Sequence, residues 1–178
     1  MFRKILSFGL IAGVIAGLPL SIMIVVRPHE SGGIGGMIVG YLTMLIALTA
    51  IFIAIKRHRD IDLGGVIKFW PALALGLGIS VVAGIVYVAI WDTACALSHM
   101  DFAGDYARGE IAAAQARGVS GAALAKVTTE MEQFKTQYAN PLYRWPMTFI
   151  EIFPVGVLVS LISAGLLCNS RFLPARRA

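Results

Sequence analysis

An all-α membrane bundle of four transmembrane helices, carrying a two-helix extracytoplasmic segment, is the fold this sequence predicts. Three observations carry the prediction. Apolar runs at residues 5–26, 34–55, 69–91 and 147–168 fill 89 of the 178 positions. A hydrocarbon core of ~30 Å takes roughly 20 helical residues at about 1.5 Å rise each, so every run is long enough to cross. Charged residues are 14% of the chain, against ~25% in soluble domains, and hydrophobic residues reach 58%. Lipid offers no partner to backbone N–H and C=O groups, so spans of this length must be helical. The chain forms one membrane domain, 1–178, with room for one modest segment outside the bilayer.

The first span, 5–26, follows Arg3 and Lys4. Those two residues resemble the start of a signal peptide, with Val14-Ile15-Ala16 as a weak cleavage site. Apolar character continues to Val26, well past a signal core of ~7–15 residues, so the expectation is a retained helix. Orientation follows from the basic residues. Arg3, Lys4, Lys56, Arg57, Arg59, Lys68, Arg171, Arg176 and Arg177 fall on one side, all in short segments. The other side has Arg27 and five basic residues in a long loop that also holds six acids. Short cytoplasmic segments carry the positive excess, so both termini are expected in the cytoplasm. The net charge of +5 is therefore assigned to headgroup anchoring and not to nucleic acid.

Small residues at every fourth position allow membrane helices to approach closely. Gly9, Gly13 and Gly17 mark span one, ahead of Pro19, where a kink is expected. Gly32, Gly36 and Gly40 open span two, Gly76, Ser80 and Gly84 mark span three, and Gly156, Ser160 and Ala164 mark span four. A tight bundle is the expectation, with these residues serving packing and not chemistry.

Between spans two and three, residues 56–65 are short and polar. Gly64-Gly65 is the expected turn, and His58, set between Arg57 and Arg59, is expected to be solvated. Lys68, Trp70 and Pro71 suit a helix restarting at the membrane surface. The outer loop, about 92–145, contains Leu124, Val127, Met131, Phe134 and Tyr138 at helical spacing after Ser120, a candidate N-cap. Asn140-Pro141 ends that helix. An Ala-rich stretch over 102–116 supplies a second helix, with Gly118 between the two, so a helical hairpin is expected, its apolar stripe covered first from within the chain.

Glu151 is the single charge inside any span. An intramembrane carboxylate costs about 2.5–3.5 kcal/mol at the bilayer centre, which makes it a candidate functional group. It lies about four residues inside the outer boundary, roughly 6 Å at helical rise. It also points away from the Gly156–Ser160–Ala164 seam, so pairing with Asn140, Tyr143 or another outer group is the leading expectation, and ion transport the second. Asp92, Cys95 and His99 share a helical face if span three continues, and with Asp101 or Glu151 they form a weak candidate for a divalent cation. Cys95 and Cys168 lie at opposite ends of their spans, far beyond the ~7 Å limit for a disulfide. No phosphate-binding loop, nucleophile elbow or zinc-protease pair is present. Gly32-Gly33-Ile34-Gly35-Gly36 lacks the Lys-Ser/Thr of a phosphate loop.

Several stretches together resemble one family. They are Gly36-Met37-Ile38-Val39-Gly40-Tyr41-Leu42-Thr43-Met44, Ile55-Lys56-Arg57-His58-Arg59-Asp60, Gly64-Gly65-Val66-Ile67-Lys68-Phe69-Trp70, the segment from Tyr87 to Trp91-Asp92, Met131-Glu132-Gln133-Phe134-Lys135, Tyr138-Ala139-Asn140-Pro141-Leu142, and Met147-Thr148-Phe149-Ile150-Glu151-Ile152-Phe153-Pro154-Val155-Gly156. In this order they resemble the bacterial membrane family named domain of unknown function 4199, over nearly the whole chain. The family more often has Glu where this chain has Asp92, which keeps the charge. The resemblance implies four spans, a helical outer loop and a bacterial inner-membrane location. It implies no activity, so no catalytic residue is carried over.

The functional expectation is a non-enzymatic structural or interaction protein needing no cofactor. Its partners would be the lipid bilayer and a second copy or another membrane protein, reached through the outer hairpin. The rivals are a small oligomeric transporter or channel using Glu151, and a lipid-binding groove under the hairpin lined by Phe102, Met131 and Phe134.

Overall fold

A computed structural model of the chain describes residues 1–26, 33–98 and 101–174. Six helices follow one another: α1 (Phe2–Val26), α2 (Gly33–Arg57), α3 (Phe69–Ser98), α4 (Phe102–Ala116), α5 (Gly121–Tyr138) and α6 (Pro141–Leu167), with a π-helical turn over His58–Asp62 after α2. No strand occurs among the described residues. Four segments are long and apolar enough to cross a membrane: α1, α2 with its π turn, α3 and α6. α4 and α5 form the hairpin.

The four long helices make a square in which α1 and α6 each pack on both α2 and α3. Small residues set the two tightest seams. Gly9 meets Val82, Gly13 meets Val86 and Gly17 meets Ile90. Each step of four along α1 is answered by a step of four along α3, so the two helices run parallel and in register. A Cβ added at Gly13 would fall 2.6 Å from Val86 Cβ and 2.8 Å from the Ala83 carbonyl oxygen.

The α3–α6 seam is antiparallel and reciprocal, with Gly76 opposite Ser160 and Ser80 opposite Gly156. The Ser80 hydroxyl donates to the Gly76 carbonyl at 2.9 Å, and Ser160 to the Gly156 carbonyl at 2.7 Å. The two hydroxyls lie 3.3 Å apart. Buried polar atoms are thus satisfied within the seam, as a lipid setting requires. Gly84 receives the Phe149 ring, and Ala164 is fully buried.

Helix two departs from the expected pattern. Gly40 is buried, but the nearest outside atom to its added Cβ is Leu20 Cδ2 at 4.0 Å, an ordinary contact and not a close approach. Gly36 belongs to α2, although its surroundings lie outside the described residues, as does Gly32. Leu48, Ile51 and Ile55 instead carry α2 into the core, beside Leu75, Ile79 and Ile152.

Helix boundaries also move. α3 continues through Cys95 to Ser98, and α6 begins at Pro141, several residues before the apolar run at 147–168. Asn140 caps α6 by accepting the Leu142 N–H at 3.0 Å. Pro141 then takes a position where its missing N–H costs no bond. The outer segment shortens accordingly. Gly64 and Gly65 adopt φ of +67° and +99° and turn the chain between the π turn and α3.

In the hairpin, Ala103, Ala107 and Ala114 are buried, while Leu124, Val127, Met131 and Phe134 of α5 are half-buried. Cover from within the chain is therefore real but incomplete. Asp101 caps α4 through the Gly104 N–H at 2.9 Å. Ser120 stands at the N-cap of α5 without making a side-chain cap bond.

The seam yields a paired test. Gly13→Leu forces a side chain against the backbone and Val86 of α3 and should lower unfolding stability by about 1–3 kcal/mol, as overpacking does. At Gly165 no outside atom lies within 4 Å of an added Cβ, so Gly165→Ala should be neutral or stabilising by up to about 1 kcal/mol. Thermal unfolding of the detergent-solubilised protein checks both, and equal effects would refute the seam.

Candidate functional site

Four helices meet at the end of the bundle that carries the hairpin. Asp92, near the end of α3, accepts a bond from Arg144 Nε at 2.9 Å through its Oδ1, and a second from Arg144 Nη2 to the same oxygen. Arg144 lies in the first turns of α6. Its Nη1 donates to the Tyr138 carbonyl at 3.4 Å, and its guanidinium stands 5.8 Å from the Tyr138 ring centroid. The Trp91 indole N–H donates to the Tyr138 hydroxyl at 3.0 Å.

Aromatic rings continue the connection into α4 and α5. Trp91 meets Phe102 edge-on with centroids 5.1 Å apart, and Phe102 lies 5.5 Å from Tyr138. Phe134 packs on Tyr138 at 5.3 Å and on Tyr106 at 5.4 Å. The ion pair is partly exposed, and such pairs contribute only ~0–1 kcal/mol. Its effect lies in orientation, because it fixes the start of α6 against the end of α3. Burial pushes the Tyr138 phenol above its ordinary range, partly offset by the Trp91 bond.

Beside this clasp lies a cavity of about 290 Å³, with Asp92, Asp101, Phe102, Lys135, Tyr138 and Arg144 among its walls. Of the three residues expected to line an apolar groove, Phe102 reaches the cavity, whereas Phe134 is engaged with Tyr106 and Tyr138. The space has a mixed lining, with four charged side chains and two aromatic rings beside Cys95 and three alanines.

The divalent-cation reading does not assemble. Asp92 is held by Arg144, Asp101 caps α4, and His99 lies outside the described residues. Among the described residues no three His, Cys, Asp or Glu side chains are grouped to hold a metal. Cys95 and Cys168 are both free thiols.

Glu151 sits on the outward face of α6, exposed from the bundle. The hydroxyl of Tyr87, a buried residue of α3, reaches its Oε2 at 3.5 Å. The expected partners Asn140 and Tyr143 are not used: Asn140 caps α6 instead. α6 stays helical through Pro154, which removes one N–H in the turn just below Glu151.

At the opposite end the structure shows a residue that charge counting overlooked. Arg59 is completely buried. It donates to the Phe172 carbonyl at 2.9 Å, to Leu173 at 2.5 Å and to Leu167 at 3.4 Å, and it pairs with Asp60 at 2.6 Å. It thereby satisfies carbonyls at and beyond the end of α6. His58 is likewise not solvated: its side chain is 13% exposed and its Nδ1 lies 2.5 Å from Asp62, which also pairs with Lys4 of α1. One signal was available. Ile51, Ile55 and Arg59 recur at steps of four, so the core stripe of α2 runs directly into the arginine.

The arrangement defines an all-helical protein with four membrane-length helices and a hairpin fastened over one end. The chain belongs to the family described as protein of unknown function (DUF4199), which matches it over residues 7–169. No curated protein and no solved structure matches it.

Tyr138 supplies a pH test of the clasp. With its folded value raised above the ordinary ~10, the folded state keeps a proton that the unfolded chain releases. The stability it contributes is complete below pH ~10 and is lost as pH rises through the folded value. Thermal stability should therefore decline above pH ~10. Tyr138→Phe should remove that part of the decline while costing about 1 kcal/mol near neutrality through the lost Trp91 bond. An identical alkaline profile in the variant would refute the assignment.

Proposed function

We propose that this protein is a non-enzymatic integral protein of the bacterial inner membrane, with both termini cytoplasmic. In this reading its bundle presents the α4–α5 hairpin outside the membrane as a contact surface for a membrane-protein partner or a second copy. The observation that carries the reading is the double fastening of the hairpin root, by Asp92–Arg144 and by Trp91–Tyr138. A loop with no task beyond linking two spans needs neither. The hairpin's charged residues Arg108, Glu130 and Glu132 are exposed, as a recognition surface requires. One oxygen of each carboxylate at its root serves positioning, Asp92 Oδ1 with Arg144 and Asp101 Oδ1 with the α4 N-terminus, which holds the hairpin in a fixed pose.

A photo-cross-linking residue at Thr129 or Gln133, both exposed, should give one discrete adduct in native membranes. Arg144→Ala, which releases the root, should abolish it. Bare monomer at both positions, or an adduct indifferent to Arg144→Ala, would overturn the proposal.

A second reading rests on Glu151. A carboxylate on the outward face of a membrane helix, with only a phenol against it among the described residues, is costly unless another subunit or a transported cation covers it. An oligomeric ion or proton carrier would supply that cover. Carbodiimide modifies protonated carboxyls in apolar surroundings. Labelling of Glu151 that falls between pH 6 and 8, and that changes on dissociation of an oligomer, would favour this reading, and absence of labelling would remove it.

A further inference from the structure

The cavity at the hairpin root has a position, a size and a charge pattern that together indicate what it holds. Position comes first. Lys68 precedes α3 and Trp70 lies in its first turn at one end of the bundle, and Asp92 lies 22 residues beyond Trp70. At about 1.5 Å per residue that is roughly 33 Å, slightly more than a ~30 Å hydrocarbon core. With Trp70 at one interface, Asp92 reaches the headgroup layer of the other. Exposed Tyr143 and Trp145 flank Arg144, as aromatic residues do at that level.

Charge comes second. Lys135 and Arg144 contribute two cations to the walls, and Asp92 and Asp101 two carboxylates. Both bonds from Arg144 fall on Asp92 Oδ1, and the Gly104 N–H falls on Asp101 Oδ1. No hydrogen bond reaches the Oδ2 of either acid among the described residues. Among the described residues Lys135 pairs with Glu132 alone, at 3.2–3.3 Å, which leaves further N–H donors on its ammonium. The Phe102 and Tyr138 rings, Cys95 and three alanines make up the rest of the walls.

Size comes third. About 290 Å³ lies just under the ~300 Å³ at which pockets for whole small molecules begin. The space is large enough for a phospholipid headgroup and too small for a whole lipid, whose acyl chains would lie in the bilayer.

We infer that this cavity binds the headgroup of a zwitterionic phospholipid of the phosphoethanolamine type, its phosphate on Lys135 and Arg144 and its ammonium on Asp92 and Asp101. A purely anionic headgroup would set its charge against two carboxylates. A choline headgroup has no N–H to give them. The inference rests on the helices crossing a bilayer and is independent of any partner for the hairpin. A lipid seated there would join the hairpin root to the membrane surface, making the clasp sensitive to lipid composition.

The test uses the full-length protein in mild detergent, offered equal amounts of phosphatidylethanolamine, phosphatidylglycerol and phosphatidylcholine and read by native mass spectrometry. One phosphatidylethanolamine should be retained, with the other two lipids about tenfold weaker. Asp101→Asn keeps a competent N-cap and Lys135→Gln keeps a good helix former, so the double variant should fold. Its thermal unfolding checks that. It should lose the preference about tenfold. Equal retention of the three lipids, or an unchanged preference in a folded double variant, would overturn the inference. Displacement of the lipid by an equal concentration of soluble glycerophosphoethanolamine, which keeps the phosphodiester and the ammonium, would assign the cavity to a free zwitterion and overturn the lipid assignment, while resistance to displacement supports it. Hairpin cross-linking is a separate readout, so the two proposals fail independently.

Discussion

The structure depends on how closely α3 can approach its neighbours. In a membrane the lipid tails are as apolar as the side chains, so helices gain little from hiding from them and are held by contact and hydrogen bonding. α3 meets α1 over Gly9, Gly13 and Gly17 on one side, and α6 over the Gly76–Ser160 and Ser80–Gly156 pairs on the other. Further along the same helix the buried positions become Tyr87 and Trp91. Interaxial distance follows the size of the side chains at the contact. The small-residue stretch lets the helices approach closely, and beyond it Tyr87 and Trp91 reach Glu151 of α6 and Tyr138 of α5. Trp91 also meets Phe102 edge-on, so the hairpin packs on the aromatic part of α3.

The two ends of the bundle are secured by different means. At the end holding the termini, one buried guanidinium gathers the carbonyls of Leu167, Phe172 and Leu173. The Lys4–Asp62–His58 group ties α1 to the π turn. π-helical turns are rare and cluster at functional or structurally demanding places; this one contains Arg59 and, through Arg59, closes α6. At the hairpin end the ties are aromatic contacts and a partly exposed ion pair, each modest alone. The first arrangement resists opening because a freed arginine would stay buried. The second can respond to what lies beside it, and this is the end at which a partner or a headgroup would act.

Polar groups at membrane depth differ in what they engage, and the buried Ser21 hydroxyl of α1 has no partner among the described residues. Ser80 and Ser160 donate to carbonyls of their own helices and serve packing. Glu151 does not fit that description, since it looks outward from α6 with the Tyr87 phenol as its contact. The buried core on the other side of α6 is built from Ile152, Gly156, Ser160 and Ala164, so apart from Tyr87 the carboxylate faces away from the bundle. Assembly with other chains is therefore the common theme of both functional readings.

The four spans, their helical form and the hairpin were determined by the sequence itself, because run length, hydropathy and Gly/Pro punctuation are local properties. The Gly9–Gly13–Gly17 and Gly76–Ser80–Gly84 stripes marked seams for the same reason. Which helix each seam faces was not legible, since spacing describes one helix and not its neighbour; Gly40 carries the pattern yet makes no close approach. Arg59 was hidden by its composition, a basic residue among basic residues, and only the packing of α2 against the end of α6 made it a buried cap. Asp92, Tyr138 and Arg144 are separated by up to 52 positions, and their convergence required α3, α5 and α6 to be in place. Sequence determined the elements, because their causes lie within a few turns of chain. Tertiary structure decided the clasp and the cavity, because both bring together side chains of α3, α4, α5 and α6 that lie far apart in the chain.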